Sequence, residues 1–152
     1  MTDTLPDTGF AGREYPATAP YQVGREKLRE FAAAVGARHP AHLDPEVARG
    51  LGYPDVVAPA TFAVVVAQAA EAQYVQDPAA RIDFSRVVHA DERFTHHRPI
   101  VAGDELVTVL HVDAVTHRAG IAMVTTRCEI RTVAGEPVST VTSTLAVRGE
   151  GK

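Results

Sequence analysis

Residues 56–70 read VVAPATFAVVVAQAA, and this stretch decides how the rest of the chain must fold. It carries no charge, and its only polar side chains are Thr61 and Gln68. Pro59 stands where a helix would begin, a position at which the missing N–H of proline costs nothing. Apolar residues then occupy every face, which predicts a helix over about residues 59–74 that is buried on all sides. The run is too short to cross a bilayer, which takes about 20 apolar residues.

The C-terminal half supplies strands that can wrap this helix. Alternation of apolar and polar residues predicts two short strands, at 83–88 and 92–97, and three longer ones, at 105–116, 121–131 and 138–147. Short turns between them are typical of an antiparallel meander. Because the helices come first and the strands follow, the fold class is α+β, an antiparallel sheet wrapped around a buried central helix.

Local patterns also predict the structure of the segments before the central helix. Residues 1–12 are polar and rich in turn formers, which predicts a flexible N-terminal arm ahead of a domain at 13–149. Prolines interrupt the segment 14–23, which suits an edge strand. Apolar residues at helical spacing predict a helix at 25–35, ended by Gly36. The Asp44-Pro45 pair then opens a second, short helix.

Composition excludes several classes of function. The 152-residue chain has a net charge of −4 and suits one domain. An acidic chain lacks the basic patch that nucleic acids need, so no nucleic acid partner and no anionic membrane surface are expected. The acidic N-terminus resembles no signal peptide, and the single cysteine, Cys128, excludes an internal disulfide. A cytoplasmic protein is therefore expected.

The loop at residues 36–44, GARHPAHLD, carries the most specific signal. It resembles the G-D-x-N-P-I-H-x-D signature of the MaoC-like (R)-specific enoyl hydratases and dehydratases, which have the hot-dog fold. Residues 58–62, APATF, and 97–104, HRPIVAGD, are similar to the N-terminal-type dehydratase branch of that family. This branch includes the A and C subunits of the mycobacterial (3R)-hydroxyacyl-ACP dehydratase. The resemblance implies a single hot-dog domain.

The resemblance also implies site residues. In the family, an aspartate and a histidine of this loop move the protons, and a backbone N–H at the start of the central helix stabilises the thioester oxygen. His42 falls on the histidine, whereas Ala37 falls on the aspartate and can carry no proton. Pro59 has no N–H, but Ala60 keeps one. The remaining predicted substrate-binding residues are Thr61, Phe62 and His39.

These residues imply a non-catalytic or weakly catalytic subunit of a (3R)-hydroxyacyl-thioester dehydratase or (R)-enoyl hydratase. It would shape the acyl channel beside a MaoC-like catalytic subunit in a heterodimer, or form a homodimer, and act on thioesters of coenzyme A or acyl carrier protein. No cofactor is implied, and no metal, because adjacent strand residues such as His96 and His97 point to opposite faces. Three alternatives stay open: a homodimeric hydratase using Asp44 or Asp55, a thioesterase using Glu71, and an acyl-thioester binding module.

Overall fold

A computed structural model describes residues 4–150 as an antiparallel five-stranded sheet curled against one long helix. The helices are α1 (Arg25–Val35), α2 (Pro45–Gly50) and α3 (Ala63–Val75), and the strands are β1 (Tyr21–Gln22), β2 (Val87–His96), β3 (Glu105–Arg118), β4 (Ile121–Thr132) and β5 (Pro137–Arg148). In the sheet the strands lie in the order β1-β3-β4-β5-β2. No helix in the described range is long and apolar enough to cross a membrane.

The predicted α+β class is confirmed, and the sheet's concave face forms the core with α3. The helix packs against β3, β4 and β5. Alternate residues of these strands are buried, as a half-covered sheet requires. The largest fully buried side chains include Tyr74, Phe62, Leu106, Leu110 and Ile130.

The central helix begins later than the predicted residue 59. Pro59 to Phe62 form a separate turn, in which the N–H of Phe62 donates to the Pro59 carbonyl at 2.9 Å. Regular α-helix starts only at Ala63 and ends at Val75, one residue beyond the predicted end. Proline at the start of an apolar run therefore marks the entry into this helix and not its first turn.

The prediction that α3 is buried on all sides is wrong for the single chain. The sheet covers only one side of the helix, on which Ala63, Ala67 and Ala70 are fully buried. Gln68 and Ala69, on the opposite side, are exposed. The outer face of α3 is therefore uncovered in the single chain, although the sequence of the helix is largely apolar on this side as well.

The strand predictions are right for β3 to β5 and need correction for β2. Residues 84–86, inside the first predicted strand, form a 3₁₀ turn. One continuous strand from Val87 to His96 replaces the two predicted at 83–88 and 92–97. A register shift between His89 and Asp91 accommodates a bulge in this strand. β2 pairs with β5 and not with its sequence neighbour β3, so the sheet is not a simple meander.

The part of the predicted flexible arm that the structure describes is packed onto the domain. Phe10 is buried, with its ring centroid 5.9 Å from that of Tyr74. The N–H of Gly12 donates to the Val112 carbonyl at 2.7 Å. One aromatic side chain therefore anchors a segment whose composition suggested disorder, whereas residues 1–3 lie outside the described range.

Candidate functional site

The loop between α1 and α2 has the local structure that its residues favour. α1 ends at Gly36, whose φ of 71° is the left-handed conformation that glycine adopts without strain. A 3₁₀ turn from Pro40 to His42 follows, capped by Nδ1 of His39, which accepts from the N–H of Ala41 at 3.1 Å. The Asp44 carboxylate then accepts from the N–H of Glu46 and starts α2.

His42 is held in one orientation by the backbone. Its Nδ1 lies 2.7 Å from the carbonyl oxygen of Val57. A carbonyl only accepts, so Nδ1 carries the proton and, in the neutral ring, Nε2 keeps a free lone pair. His42 lines a cavity of about 500 Å³. The side chain is therefore placed to act as a proton acceptor.

The start of α3 lies on the wall of the same cavity. Pro59 and Ala60 line it. The carbonyl of Pro59 is bound by the N–H of Phe62 within the turn. Because the N–H and C=O of a trans peptide point in opposite directions, the Ala60 N–H points out of the helix start. This N–H has no hydrogen-bond partner in the described part of the chain, so it is free to stabilise a negative oxygen.

His96 supports this turn, a role that the sequence analysis missed. Its Nε2 donates to the carbonyl of Ala60 at 2.8 Å, and its Nδ1 lies 2.6 Å from Oγ of Ser139. Both ring nitrogens are engaged, so the imidazole fixes the orientation of the Ala60–Thr61 peptide. Only the pairing of β2 with β5, which sets His96 opposite Ser139, reveals this contact.

An ion pair closes the other side of the cavity. The guanidinium of Arg98 binds both carboxylate oxygens of Asp104, at 2.9 and 3.0 Å, and one oxygen of Glu136 at 3.0 Å. Asp104 also accepts from the N–H of Val101 at 2.9 Å. These hydrogen bonds raise the pKa of Arg98 further above its usual value. These hydrogen bonds hold the loop of Arg98, Pro99 and Ile100 in place, and the loop lines this side of the cavity.

The structure brings together only part of the predicted site. His42 and Ala60 meet at the cavity, whereas His39 and Thr61 are exposed and do not line it. Phe62, predicted to bind substrate, is fully buried in the core. Ala37 is half-buried. No Asp or Glu lines this cavity, so nothing among the lining residues replaces the missing aspartate.

The two other candidate acids are already engaged. Asp44 caps α2. Asp55 forms a bidentate ion pair with Arg25, both contacts at 2.8 Å. This hydrogen bonding, with the N–H of Val56 and the charge of Arg49, lowers the pKa of Asp55 to about 2. A carboxylate that stays ionised in this way is a poor proton donor near neutral pH.

Three histidines, His42, His96 and His97, line the cavity. The prediction that His96 and His97 point to opposite faces of one strand is wrong, because β2 ends at His96. The nitrogens of His96 are both engaged, and Nε2 of His97 lies 3.4 Å from Oγ1 of Thr140. Among residues 4–150, no group of three His, Cys, Asp or Glu side chains could hold a metal ion.

Glu71 lies at a second cavity, of about 440 Å³, on the C-terminal half of α3. It is only 8% exposed and accepts from Oγ of Ser143 at 2.8 Å. Glu92 lies directly opposite Ser143 on β2. Its Oε1 is sealed from solvent and has no hydrogen-bond partner in the described range. The thioesterase candidate Glu71 therefore lies at a different cavity from His42, close to the half-buried carboxylate of Glu92.

Burial raises the pKa of Glu92. The hydrogen bond with Ser143 opposes this, the carboxylate of Glu71 raises the pKa further, and His89 and Asp91 have smaller effects of opposite sign. The folded protein thus favours the protonated acid. Its contribution to stability is complete below the usual pKa and is lost as pH rises through the raised one. We expect Glu92→Gln to increase the free energy of unfolding more at about pH 8 than at about pH 4. Urea unfolding at both pH values measures this, and an equal change at both would contradict it.

Comparisons with known proteins identify the class of the fold. It is that of a hot-dog protein of the MaoC-like dehydratase type. Residues 9–141 match the family described as the FAS1-like dehydratase domain region, and the chain belongs to this family. A relative from Saccharopolyspora erythraea, named a UPF0336 protein, is 57% identical over 143 residues, which cover 94% of this chain and 92% of the relative.

Two solved structures are similar over most of the chain. One is the C-terminally truncated HadBC complex, a (3R)-hydroxyacyl-ACP dehydratase from Mycobacterium tuberculosis. The match has 35% identity and a TM-score of 0.79, and covers 90% of this chain and 96% of that one. The other is a MaoC-like dehydratase with 37% identity and a TM-score of 0.83, covering 91% of this chain and 42% of that protein.

Proposed function

We propose that this chain is a non-catalytic or weakly catalytic subunit of a (3R)-hydroxyacyl-thioester dehydratase, or (R)-enoyl hydratase, of fatty-acid metabolism. The observation that carries the proposal is an incomplete site. His42 and the Ala60 N–H meet at one cavity, but Ala37 stands where the family carries its aspartate. Loss of one proton-transfer partner costs roughly 10²–10⁴-fold in rate.

An unpaired sheet edge supports the proposal of a partner. β2 pairs with β5 on one side only, so in the described chain its other side leaves backbone groups open over ten residues. Val88 on this strand is 65% exposed, and the outer face of α3 lies uncovered nearby. Open edges of this length invite pairing with another chain. The HadBC neighbour is itself a complex.

The partner that this proposal requires is a MaoC-like subunit with an intact aspartate and histidine on its loop. Such a subunit would perform the proton transfers while the present chain shapes the channel for an acyl group on coenzyme A or acyl carrier protein. The geometry lends the alternatives less support. Asp44 and Asp55 are engaged elsewhere, and Glu71 is separated from the cavity of His42.

The test is hydration of a crotonyl thioester by the isolated chain, by a MaoC-like protein from the same host that carries the intact loop, and by the two expressed together. We expect the isolated chain to be near background and the complex to be the most active form. Because the chemistry would belong to the partner, His42→Asn in the present chain should leave the activity of the complex within about twofold.

Two results would overturn the proposal. One is full activity of the isolated chain, which would show that another acidic residue takes the role of the aspartate missing at position 37. The other is loss of the complex's activity in His42→Asn, since this imidazole would then take part in the reaction. The matched control is Arg38→Asn, an exposed position on the same loop.

A further inference from the structure

The second cavity lies between the outer part of α3 and the open strand β2. Glu71 is buried at its wall, and one of its two oxygens has no hydrogen-bond partner among residues 4–150. Glu92, which is half-buried, adds a second carboxylate near it, and Oε1 of Glu92 is sealed from solvent without a partner in the described range. Neither acid forms an ion pair with a described cation. Buried carboxylates are normally paired, so this arrangement is incomplete in the single chain.

From this charge pattern we infer that the face formed by β2 and the second cavity selects a partner subunit that contributes an arginine or lysine side chain, and that it disfavours a second copy of this chain. The inference rests on the proposed pairing through β2. It specifies in addition that the partner contributes a cationic side chain at the interface, and it gives a physical reason why a heterodimer is favoured over a homodimer.

Symmetry explains why a second copy is disfavoured. Two identical chains that pair through one edge strand do so antiparallel, about a two-fold axis. When the two-fold axis passes beside Glu92, near the middle of Val87–His96, Glu92 lies opposite Glu92 of the second copy. Side chains directly opposite each other have Cβ atoms about 5 Å apart, and like charges there destabilise the pair. The nearby carboxylate of Glu71 increases the repulsion.

The lining of the cavity explains why a long cationic side chain fits. Ala72, Val75 and Leu145 offer apolar walls, and Glu71 offers a carboxylate. Arginine and lysine bury an aliphatic stem against such walls while their charged end reaches a polar group. An interfacial cation would also supply the counter-charge that both acids lack. Charge complementarity of this kind sets partner choice.

A charge swap tests the inference without the natural partner. Tagged wild-type chain is immobilised, and its binding to untagged wild type, E92Q and E92K chains is measured at about pH 8. We expect wild type to bind the E92K copy at least about tenfold more tightly than it binds untagged wild type, because the lysine supplies the missing cation. E92Q, which removes one like charge, should be intermediate. The matched control is Glu30→Lys, an exposed position on α1 that changes the net charge equally.

Acidification gives a second measurement. Glu92 is faced by Glu71 on α3, by His89 and Asp91 on its own strand and by Cys128 on β4. Lowering the pH from about 8 to about 5 favours protonation of Glu92, whose pKa is raised, so self-association of wild type should tighten, and E92Q should respond less.

The inference is overturned if wild type binds itself as tightly as it binds the E92K copy, or if E92Q and wild type self-associate equally. Circular dichroism checks that each variant folds, and if E92K does not fold, the comparison of E92Q with wild type decides. The hydration assay of the complex is independent. Its failure would reject the dehydratase function and leave the charge selectivity standing.

Discussion

Ala37→Asp is expected to raise the hydration of a crotonyl thioester by the isolated chain by about 100-fold or more, the lower end of what one proton-transfer group contributes. His42 already has Nδ1 bound to the Val57 carbonyl, which leaves Nε2 as the free acceptor. Ala60, whose N–H points out of the start of α3, lines the same cavity as His42. An aspartate at position 37 would supply the acid that the resemblance leads us to expect beside His42.

Two matched variants make this result specific. Ala37→Asn has nearly the same shape but cannot transfer a proton, so it should remain near the parent's rate. Adding His42→Asn to Ala37→Asp should return the rate to background if the two side chains act as a pair. Should Ala37→Asp stay as inactive as the parent while folding normally, the alignment of this loop or the assignment of Ala60 would be wrong.

Phe62→Ala is expected to lower the free energy of unfolding by about 3–5 kcal/mol. Phe62 is fully buried and meets the ring of Phe31 edge to face, with centroids 5.3 Å apart, and that of Tyr21 at 6.4 Å. Its removal would leave a cavity where α1, β1 and the start of α3 meet. Domains of this size are stable by only about 5–15 kcal/mol, so the loss is large.

Urea unfolding measures this change, and Thr61→Ala is the neighbouring control. Thr61 is exposed, so its substitution should cost within about 0.5 kcal/mol. The pair of variants also separates the two roles considered for residue 62. A loss below about 1 kcal/mol for Phe62→Ala, with weakened thioester binding, would favour the substrate contact predicted from sequence over the core position.

Local patterns predicted much of the fold because their causes lie within a few residues. The apolar spacing of α1 and the glycine after it placed both ends of that helix correctly. The Asp44-Pro45 pair likewise predicted the start of α2. The packing of the N-terminal arm onto the domain could not be predicted in this way, because it depends on the contact of Phe10 with the distant residue Tyr74.

The candidate site divides in the same way. Motif resemblance predicted His42, Ala37 and Ala60 from two short motifs, at residues 36–44 and 58–62. It missed His96, because its partner Ser139 is 43 residues away and meets it only through the pairing of β2 with β5. It also placed Phe62 at the site, although the turn before α3 directs that ring into the core.

By itself, the amino-acid sequence determined the α+β class, both ends of α1, the start of α2 and the three long strands, because periodicity and capping act over a few residues. The tertiary structure alone decided the position of β2 at the far edge, the uncovered face of α3 and the meeting of Glu71 with Glu92. Those features depend on which distant segments pair, and strand pairing is decided by the burial of the whole sheet against one helix.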